Sequence, residues 1–249
     1  MESTALTKAL GLLEATAGHP GGRSLADLAA EVGMPKPTAH RILNDLVMAR
    51  MVDRTEPGLY QLGMRLLELG NLVKARLNVR DAAAGPMRDL HKLTGETINL
   101  AVRQADEIVY VERAVSERSG MQVVRAIGGR AALHLTSSGK LFLAADDSRA
   151  VRSYGMRTGL AGQTRNSITD VPRLERELEE VRRQGFARDN EELELGVRCI
   201  AAAIRDDAGR IVAGLSISAP ADRANDGWVS ALRQTALQIS HSLGYEASG

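Results

Sequence analysis

Ser24-Leu25-Ala26-Asp27-Leu28-Ala29-Ala30-Glu31-Val32-Gly33-Met34-Pro35-Lys36-Pro37-Thr38-Ala39-His40-Arg41-Ile42-Leu43 reads as two short helices joined by a tight turn. Ser24 is of the residue type that caps helix N-termini, with Asp27 three positions on as a weaker capping-box partner. Leu25, Leu28, Ala29 and Val32 recur at i, i+3, i+4 and i+7, which places them on one face. Gly33 ends that helix. Pro35 and Pro37 fit the start of the next, where a missing N–H costs nothing. Ala39, Ile42, Leu43 and Leu46 give the second helix an apolar face. Its other face carries Lys36, Thr38, His40 and Arg41 before the first acid, Asp45.

Working outward, Leu6, Leu10, Leu13 and Ala17 mark one face of a preceding helix, stopped by His19-Pro20-Gly21-Gly22. Downstream, Val52 to Arg54 and Leu59 to Leu62 alternate around Glu56-Pro57-Gly58, a hairpin pattern. Three helices and a hairpin suit a winged helix-turn-helix over residues 1–62. A major groove admits one helix, whose N-terminal half meets the base edges. In that setting Arg41 suits a bidentate contact to guanine, and Lys36 and Thr38 suit phosphates. Arg54 and Tyr60 offer the wing to the backbone or the minor groove. Charge gives no support, since residues 1–65 hold seven Lys and Arg against seven Asp and Glu. On periodicity alone, a solvated helix face in a generic three-helix unit competes evenly with DNA contact.

Residues 63–80 return to helical spacing through Leu66, Leu69, Val73 and Leu77. This connector is too apolar to stand alone in water, so a homo-oligomer is expected. Gly85-Pro86 is expected to kink or restart the helix, which continues to about Leu93. Residues 81–249 then show a mixed α/β pattern. Thr97 to Val102 and Ile108 to Glu112 form a predicted hairpin, and Met121 to Ala126 a third strand. A helix starts near Ser137, and a polar loop runs from Thr158 to Ser167. Thr169 or Asp170 caps a helix ended by Gly185. Val197 to Arg205 and Arg210 to Ala219 pair around Asp206-Asp207-Ala208-Gly209. A last amphipathic helix carries Trp228, Leu232, Ala236 and Ile239.

The helix-turn-helix quoted above closely resembles that of IclR-type bacterial transcription regulators. Two further stretches resemble the same family's effector domain: Leu135-Thr136-Ser137-Ser138-Gly139-Lys140, and the run from Asp189-Asn190-Glu191-Glu192 through Gly196-Val197-Arg198-Cys199-Ile200-Ala201-Ala202 to Leu215-Ser216-Ile217-Ser218. Order and spacing match over nearly the whole chain. The resemblance implies an α+β protein: a winged helix-turn-helix, a helical linker and a GAF/PAS-like effector-binding domain. It further implies dimers or tetramers that control catabolic genes in response to a small organic-acid effector. Ser137, Ser138, Asp189, Cys199, Ser216 and Ser218 would line the effector pocket by the same resemblance. The helix starting at Ser137-Ser138-Gly139 would offer free N–H groups to an anion. Ser216 and Ser218 alternate with Leu215 and Ile217, so both hydroxyls lie on one strand face. Asp189 would repel a bare carboxylate and better suits a ligand hydroxyl or a backbone N–H. Two departures from the family pattern are Pro37, where a small hydroxyl residue is usual, and Ser137-Ser138, where smaller residues are common.

Composition narrows the alternatives. The 249 residues are 44% hydrophobic and 25% charged, with a net charge of +1, ordinary for a globular protein. Aromatics are only 3%, which argues against an RNA surface that stacks bases on rings. One cysteine, Cys199, permits no internal disulfide and fits a reducing cytoplasm. No membrane-spanning apolar run and no signal peptide are expected. Five dispersed histidines and one cysteine show no metal-ligand spacing, and no cofactor is expected. Two other readings are open: an enzyme using Cys199 as nucleophile with His134 as its base, and a sensory module acting through protein contacts.

Overall fold

The structure, a computed structural model, describes residues 4–19, 21–55, 58–74, 78–115 and 127–246. The chain divides into two compact units, Met1–Leu77 and Asn78–Gly249.

In the first unit, α1 (Ala5–Ala17), α2 (Leu25–Glu31) and α3 (Lys36–Met48) pack around one core, and β1 (Val52–Arg54) pairs antiparallel with β2 (Tyr60–Leu62). Ser24 caps α2, its hydroxyl accepting from the Asp27 N–H, and also donates to the Asp27 carboxylate at 2.7 Å. Pro35 and Pro37 stand at the start of α3 as expected. Arg23 exchanges two backbone hydrogen bonds with Tyr60, which ties the entry to α2 onto the hairpin. The core contains Leu12, Leu28, Ala29, Ala39, Ile42, Leu43, Val52 and Tyr60. Leu12, Leu28 and Leu43 are fully buried, each contributing ~1.5–3 kcal/mol by leaving water.

Two expectations fail in this unit. The face of α1 that packs is Leu12, Ala15 and Thr16, with Ala9 and Leu13 at its margin; Leu6, Leu10 and Ala17 are exposed. The helix is leucine-rich on two sides, so spacing alone could not choose between them. Tyr60 is 1% exposed. Its ring turns inward and completes the core. Arg54 lies over that ring at 5.7 Å and stays outside. The turn residues Glu56 and Pro57 lie outside the described residues.

The unit ends in α4 (Met64–Lys74). Glu68 accepts from both Arg50, at 2.8 Å, and Arg65, at 2.7 Å, pinning α4 to the turn after α3. Leu66 and Leu69 are half-buried, whereas Met64, Leu67 and Leu72 are 61%, 55% and 63% exposed. The Val73 side chain and Leu77 lie outside what is described. The connector expected as one helix over 63–80 is thus shared: α4 belongs to the first unit and the next helix to the second.

The second unit is a six-stranded antiparallel sheet with helices on both faces. It comprises α5 (Asn78–Thr94), β3 (Thr97–Gln104), β4 (Glu107–Ala114), β5 (Arg130–Ala132), α6 (Ser137–Ala145), α7 (Ser148–Thr158), α8 (Val171–Gln184), β6 (Ala187–Asn190), β7 (Val197–Arg205), β8 (Ile211–Pro220) and α9 (Trp228–Ser242). The strand order is β5-β4-β3-β8-β7-β6. Helix α5 runs unbroken through Gly85 and Pro86. Its buried stripe Val79, Ala83, Met87, Leu90 holds it against β3, β4 and α9, and that packing outweighs the one hydrogen bond proline removes. Asp170 caps α8, and Gly185 ends it at φ +76°.

Alternation divides the sheet. Ile98, Leu100, Leu215 and Ile217 lie on the face covered by α5 and α9. On the other face Ala101, Ile108 and Ala201 meet α6, α7 and α8 through Phe142, Leu143, Val151, Tyr154, Leu174 and Leu178. Three strands or α-helices were not expected: α7, β6 and the short β5, which pairs with β4 through Ile108 and Ala131. Helix α7 has few apolar residues, Val151 and Tyr154 among them, but Asp147 caps it and Gly159 ends it at φ +62°, so punctuation rather than periodicity marks it. Strand β6 is Ala-Arg-Asp-Asn, poor in strand formers, and exists through its pairing with β7. The expected strand Met121 to Ala126 lies outside the described residues.

Candidate effector cavity and nucleic-acid face

Above the apolar part of its second face, the sheet turns polar. Cross-strand register puts Asp189, Cys199, Ser218 and Thr97 in one row from β6 to β3, and Ser216 and Asn99 opposite each other in the next. Paired residues share a face, so these side chains converge. Asn99 Nδ2 donates to Ser218 Oγ at 3.0 Å, and Ser218 Oγ lies 3.1 Å from Cys199 Sγ. A narrow cavity of about 20 Å³ opens there, lined by Asn99, Tyr110, Asp189, Leu193, Glu194, Val197, Cys199 and Ser218. That is room for about one water molecule.

Asp189 accepts from the Glu192 N–H at 2.8 Å, one of the two kinds of partner expected for it. Burial, with the Glu192 carboxylate nearby, raises its pKa to about 7, against the opposing pull of that N–H and of Lys140. Lys140 is fully buried and donates to Glu192 Oε1 at 2.7 Å, the Arg188 carbonyl at 2.9 Å and Glu177 Oε1 at 3.0 Å. All three ammonium protons are thus used, and the segment bearing Glu192 is fixed beside the cavity. Three orphaned buried oxygens lie around this site: Thr97 Oγ1, Ser138 Oγ and Glu192 Oε2.

Of the seven residues expected in an effector site, Asp189, Cys199 and Ser218 line the cavity. Ser216 is buried beside Ser218 on the same face but is not part of the lining. Ser137, Ser138 and Gly139 are also buried and outside it. The reason is close packing. A Cβ on Gly139 would fall 2.2 Å from the Leu133 carbonyl, and one on Gly214 2.7 Å from Ser138 Cβ. Helix α6 therefore presses its first turn directly onto β8, and Thr136, the N-cap, takes the Gly139 N–H at 3.0 Å. Asn99, Tyr110, Leu193, Glu194 and Val197 were not anticipated. A signal for Asn99 existed: Thr97, Asn99 and Ala101 alternate with Ile98, Leu100 and Val102, leaving a polar stripe on an otherwise apolar strand.

In the first unit Lys36, His40 and Arg41 are exposed along α3, Thr38 is half-buried, and Arg54 is exposed on β1. The apolar side, Ala39, Ile42 and Leu43, is fully engaged. The same unit thus holds a helix whose polar N-terminal half faces outward, backed by a two-stranded wing.

Sequence comparison matches residues 5–56 to the IclR helix-turn-helix domain and residues 72–241 to the bacterial transcriptional regulator IclR C-terminal domain. The chain belongs to the IclR family. IclR-type fold and function follow: a DNA-binding transcription regulator, not an enzyme. The HTH-type transcriptional repressor AllR of Escherichia coli K12 is 34% identical over 251 residues, covering 98% of this chain and 91% of that one. The Thermotoga maritima IclR structure superposes with a TM-score of 0.83 at 34% identity, over 96% of this chain and 98% of that one. An IclR homolog from Microbacterium hydrocarbonoxydans, complexed with 4-hydroxybenzoate, gives 0.85 at 27% identity, over 96% and 99%.

Geometry also removes the nucleophile reading of this IclR-family chain. His134 Nδ1 meets the Tyr154 hydroxyl at 2.7 Å and Nε2 the Ala161 carbonyl at 3.2 Å, so both ring nitrogens are occupied away from Cys199. Burial and the Asp189 carboxylate push the Cys199 thiol well above its usual range, the opposite of an activated thiolate. Among the described residues no cluster of metal-ligating side chains exists, and no helix is long and apolar enough to cross a membrane.

Proposed function

We propose that this IclR-family regulator reads operator DNA with Lys36, Thr38, His40 and Arg41 of α3 and Arg54 of the wing, and is switched by a small organic acid held at Asn99, Asp189, Cys199 and Ser218. The observation that carries the effector half is the row of buried polar groups around a cavity otherwise walled by protein. Buried polar groups are normally paired, and a polar patch under a closed loop is suited to exchange its internal bonds for a ligand's. The Microbacterium homolog crystallised with 4-hydroxybenzoate supports a carboxylate-bearing ligand. At about 20 Å³ the cavity admits such a molecule only if residues 191–197 move outward. Working on DNA, the protein acts in the cytoplasm.

The oligomer is part of this reading. Met64, Leu67 and Leu72 of α4 leave apolar surface in water, and a second copy meeting it across a two-fold axis would cover both patches at once. A two-fold dimer should protect a palindromic or pseudo-palindromic operator.

Calorimetry and gel shift on one preparation test the effector reading. Ser218→Ala should weaken binding of an effector that shifts operator affinity by ~0.5–1.5 kcal/mol, or more where the ligand group is charged, with folding intact. Undiminished affinity in Ser218→Ala and Asn99→Ala alike would place the ligand elsewhere.

A further inference from the structure

At about 100° per residue, the buried Ala39, Ile42 and Leu43 of α3 point one way round the helix. Pro37, Arg41, Asn44 and Met48 lie within about 35° of the opposite direction, and all four are exposed. Lys36 and Thr38 stand roughly 90–110° to either side of that line, where the phosphate walls flank a helix in the major groove. His40 and Asp45 stand about 70° off it, one on each side. The outermost stripe thus runs i, i+4, i+7, i+11, and its ends are apolar. Pro37 has neither N–H nor hydroxyl, and Met48 is 86% exposed. Only Arg41 and Asn44 can hydrogen-bond a base edge from this stripe.

Both have capacity to spare. Among the described residues Arg41 makes no ion pair or hydrogen bond, whereas Arg23 holds Glu31, and Arg50 and Arg65 share Glu68. Asn44 Nδ2 lies 3.5 Å from His40 Nε2, which engages at most one of the two amide protons. The other proton and Oδ1 have no partner among the described residues. Those are the two groups that adenine requires, Oδ1 accepting from N6 and Nδ2 donating to N7. Arg41 and Asn44 are three residues apart, a rise of about 4.5 Å, against about 3.4 Å between base pairs. Their side chains therefore address bases within two pairs of each other.

We propose that Asn44 is a second base reader of α3, specifying an adenine one or two base pairs from the guanine read by Arg41. The assignment rests on the DNA-reading half of the proposed function and adds a base to each operator half-site. It also divides the helix by role: Lys36 and Thr38 grip the backbone, while Arg41 and Asn44 choose the sequence.

The test uses the full-length protein and a pool of randomised duplexes from which binding sites are selected by wild type, Arg41→Ala and Asn44→Ala. Wild type should select half-sites with a guanine and an adenine within two base pairs. Asn44→Ala should lose the adenine preference alone, and Arg41→Ala the guanine preference alone. On the selected site, a gel shift at fixed salt should show that changing that A·T pair weakens wild type about fivefold to hundredfold and Asn44→Ala by no more than about twofold. Replacing the adenine by 7-deazaadenine, which lacks only the N7 acceptor, should weaken wild type and leave Asn44→Ala unchanged. The salt dependence should be the same in Asn44→Ala and wild type, since no charge is lost. An Asn44→Ala protein that binds every sequence more weakly with its preferences intact makes Asn44 a backbone contact and overturns the assignment. An adenine preference that survives in Asn44→Ala overturns it too, as does a 7-deazaadenine effect of equal size in both proteins. Where Arg41→Ala still loses its guanine in these cases, α3 stays in the groove without Asn44. Where neither substitution alters the selected sequence, base reading by α3 falls with it.

Discussion

Asp189 is a carboxyl whose surroundings oppose its charge. Its folded pKa is raised from 3.8 to about 7, so between those values the folded chain keeps a proton that the unfolded chain has lost. Stability linked to this group is therefore fully present below about pH 4 and falls as pH rises toward 7, at no more than ~1.4 kcal/mol per pH unit. Asp189→Asn keeps an oxygen for the Glu192 N–H and removes the titration. Urea unfolding should show the variant gaining on wild type between pH 5 and pH 8; parallel pH profiles would show that the carboxylate is better solvated than its burial implies. Lys140 is buried with all three of its ammonium protons donated, to Glu177, Glu192 and the Arg188 carbonyl. Lys140→Met should cost ~3–5 kcal/mol, because it strands the buried Glu192, and Glu192→Gln in the same chain should recover part of the loss. A stable single mutant with an unchanged melting point would contradict the three-acceptor geometry. Asp189 and Cys199 were legible in the sequence only through family resemblance. Lys140 was not legible, since no local pattern distinguishes a buried lysine from a surface one.

At the scale of elements, α3 was the most legible part of the chain. Ala39, Ile42 and Leu43 on one side and Lys36, His40 and Arg41 on the other leave a single way to seat the helix, and the two prolines fix its start. Replacing Arg41 by Ala should weaken specific operator binding by ~1–3 kcal/mol and relax one base position. Replacing Lys36 should weaken all sequences alike and flatten the salt dependence. A footprint and a salt slope unchanged by either substitution would take α3 out of the groove. Tyr60 shows where such reasoning ends. A tyrosine on a three-residue strand is equally suited to a wing surface or a small core, and only the Arg23 bridge, formed across 37 positions of sequence, decides it. The edge strand β6 and the cavity wall at Leu193 to Val197 escaped for a related reason. Their conformation is imposed by β7 and Lys140, partners that no local window contains.

At the scale of the molecule, the order of parts constrains how a ligand can act. The α3 residues and the cavity residues fall in different compact units, joined through the stretch after α4. An effector at Asn99 and Ser218 that alters operator binding must then do so through a coupling free energy, typically ~1–3 kcal/mol. Linkage makes the effect reciprocal: an effector that weakens operator binding tenfold must itself bind tenfold more weakly on operator DNA. Two recognition helices in a dimer must sit about one turn of DNA apart, ~34 Å, so a small change in how the α4 segments are held is enough to spoil the fit. Inserting one residue between Asn71 and Lys74 turns whatever follows by ~100° about the helix axis while leaving every cavity residue untouched. Calorimetry on the insertion variant should give wild-type effector affinity, and a gel shift should show that the operator no longer responds to effector. If the operator response survives the insertion at full amplitude, transmission by a rigid helix is ruled out. Coupling would then have to run through association of the protomers, and the effector's influence on operator binding should vanish when protein concentration is raised far above the dimer dissociation constant.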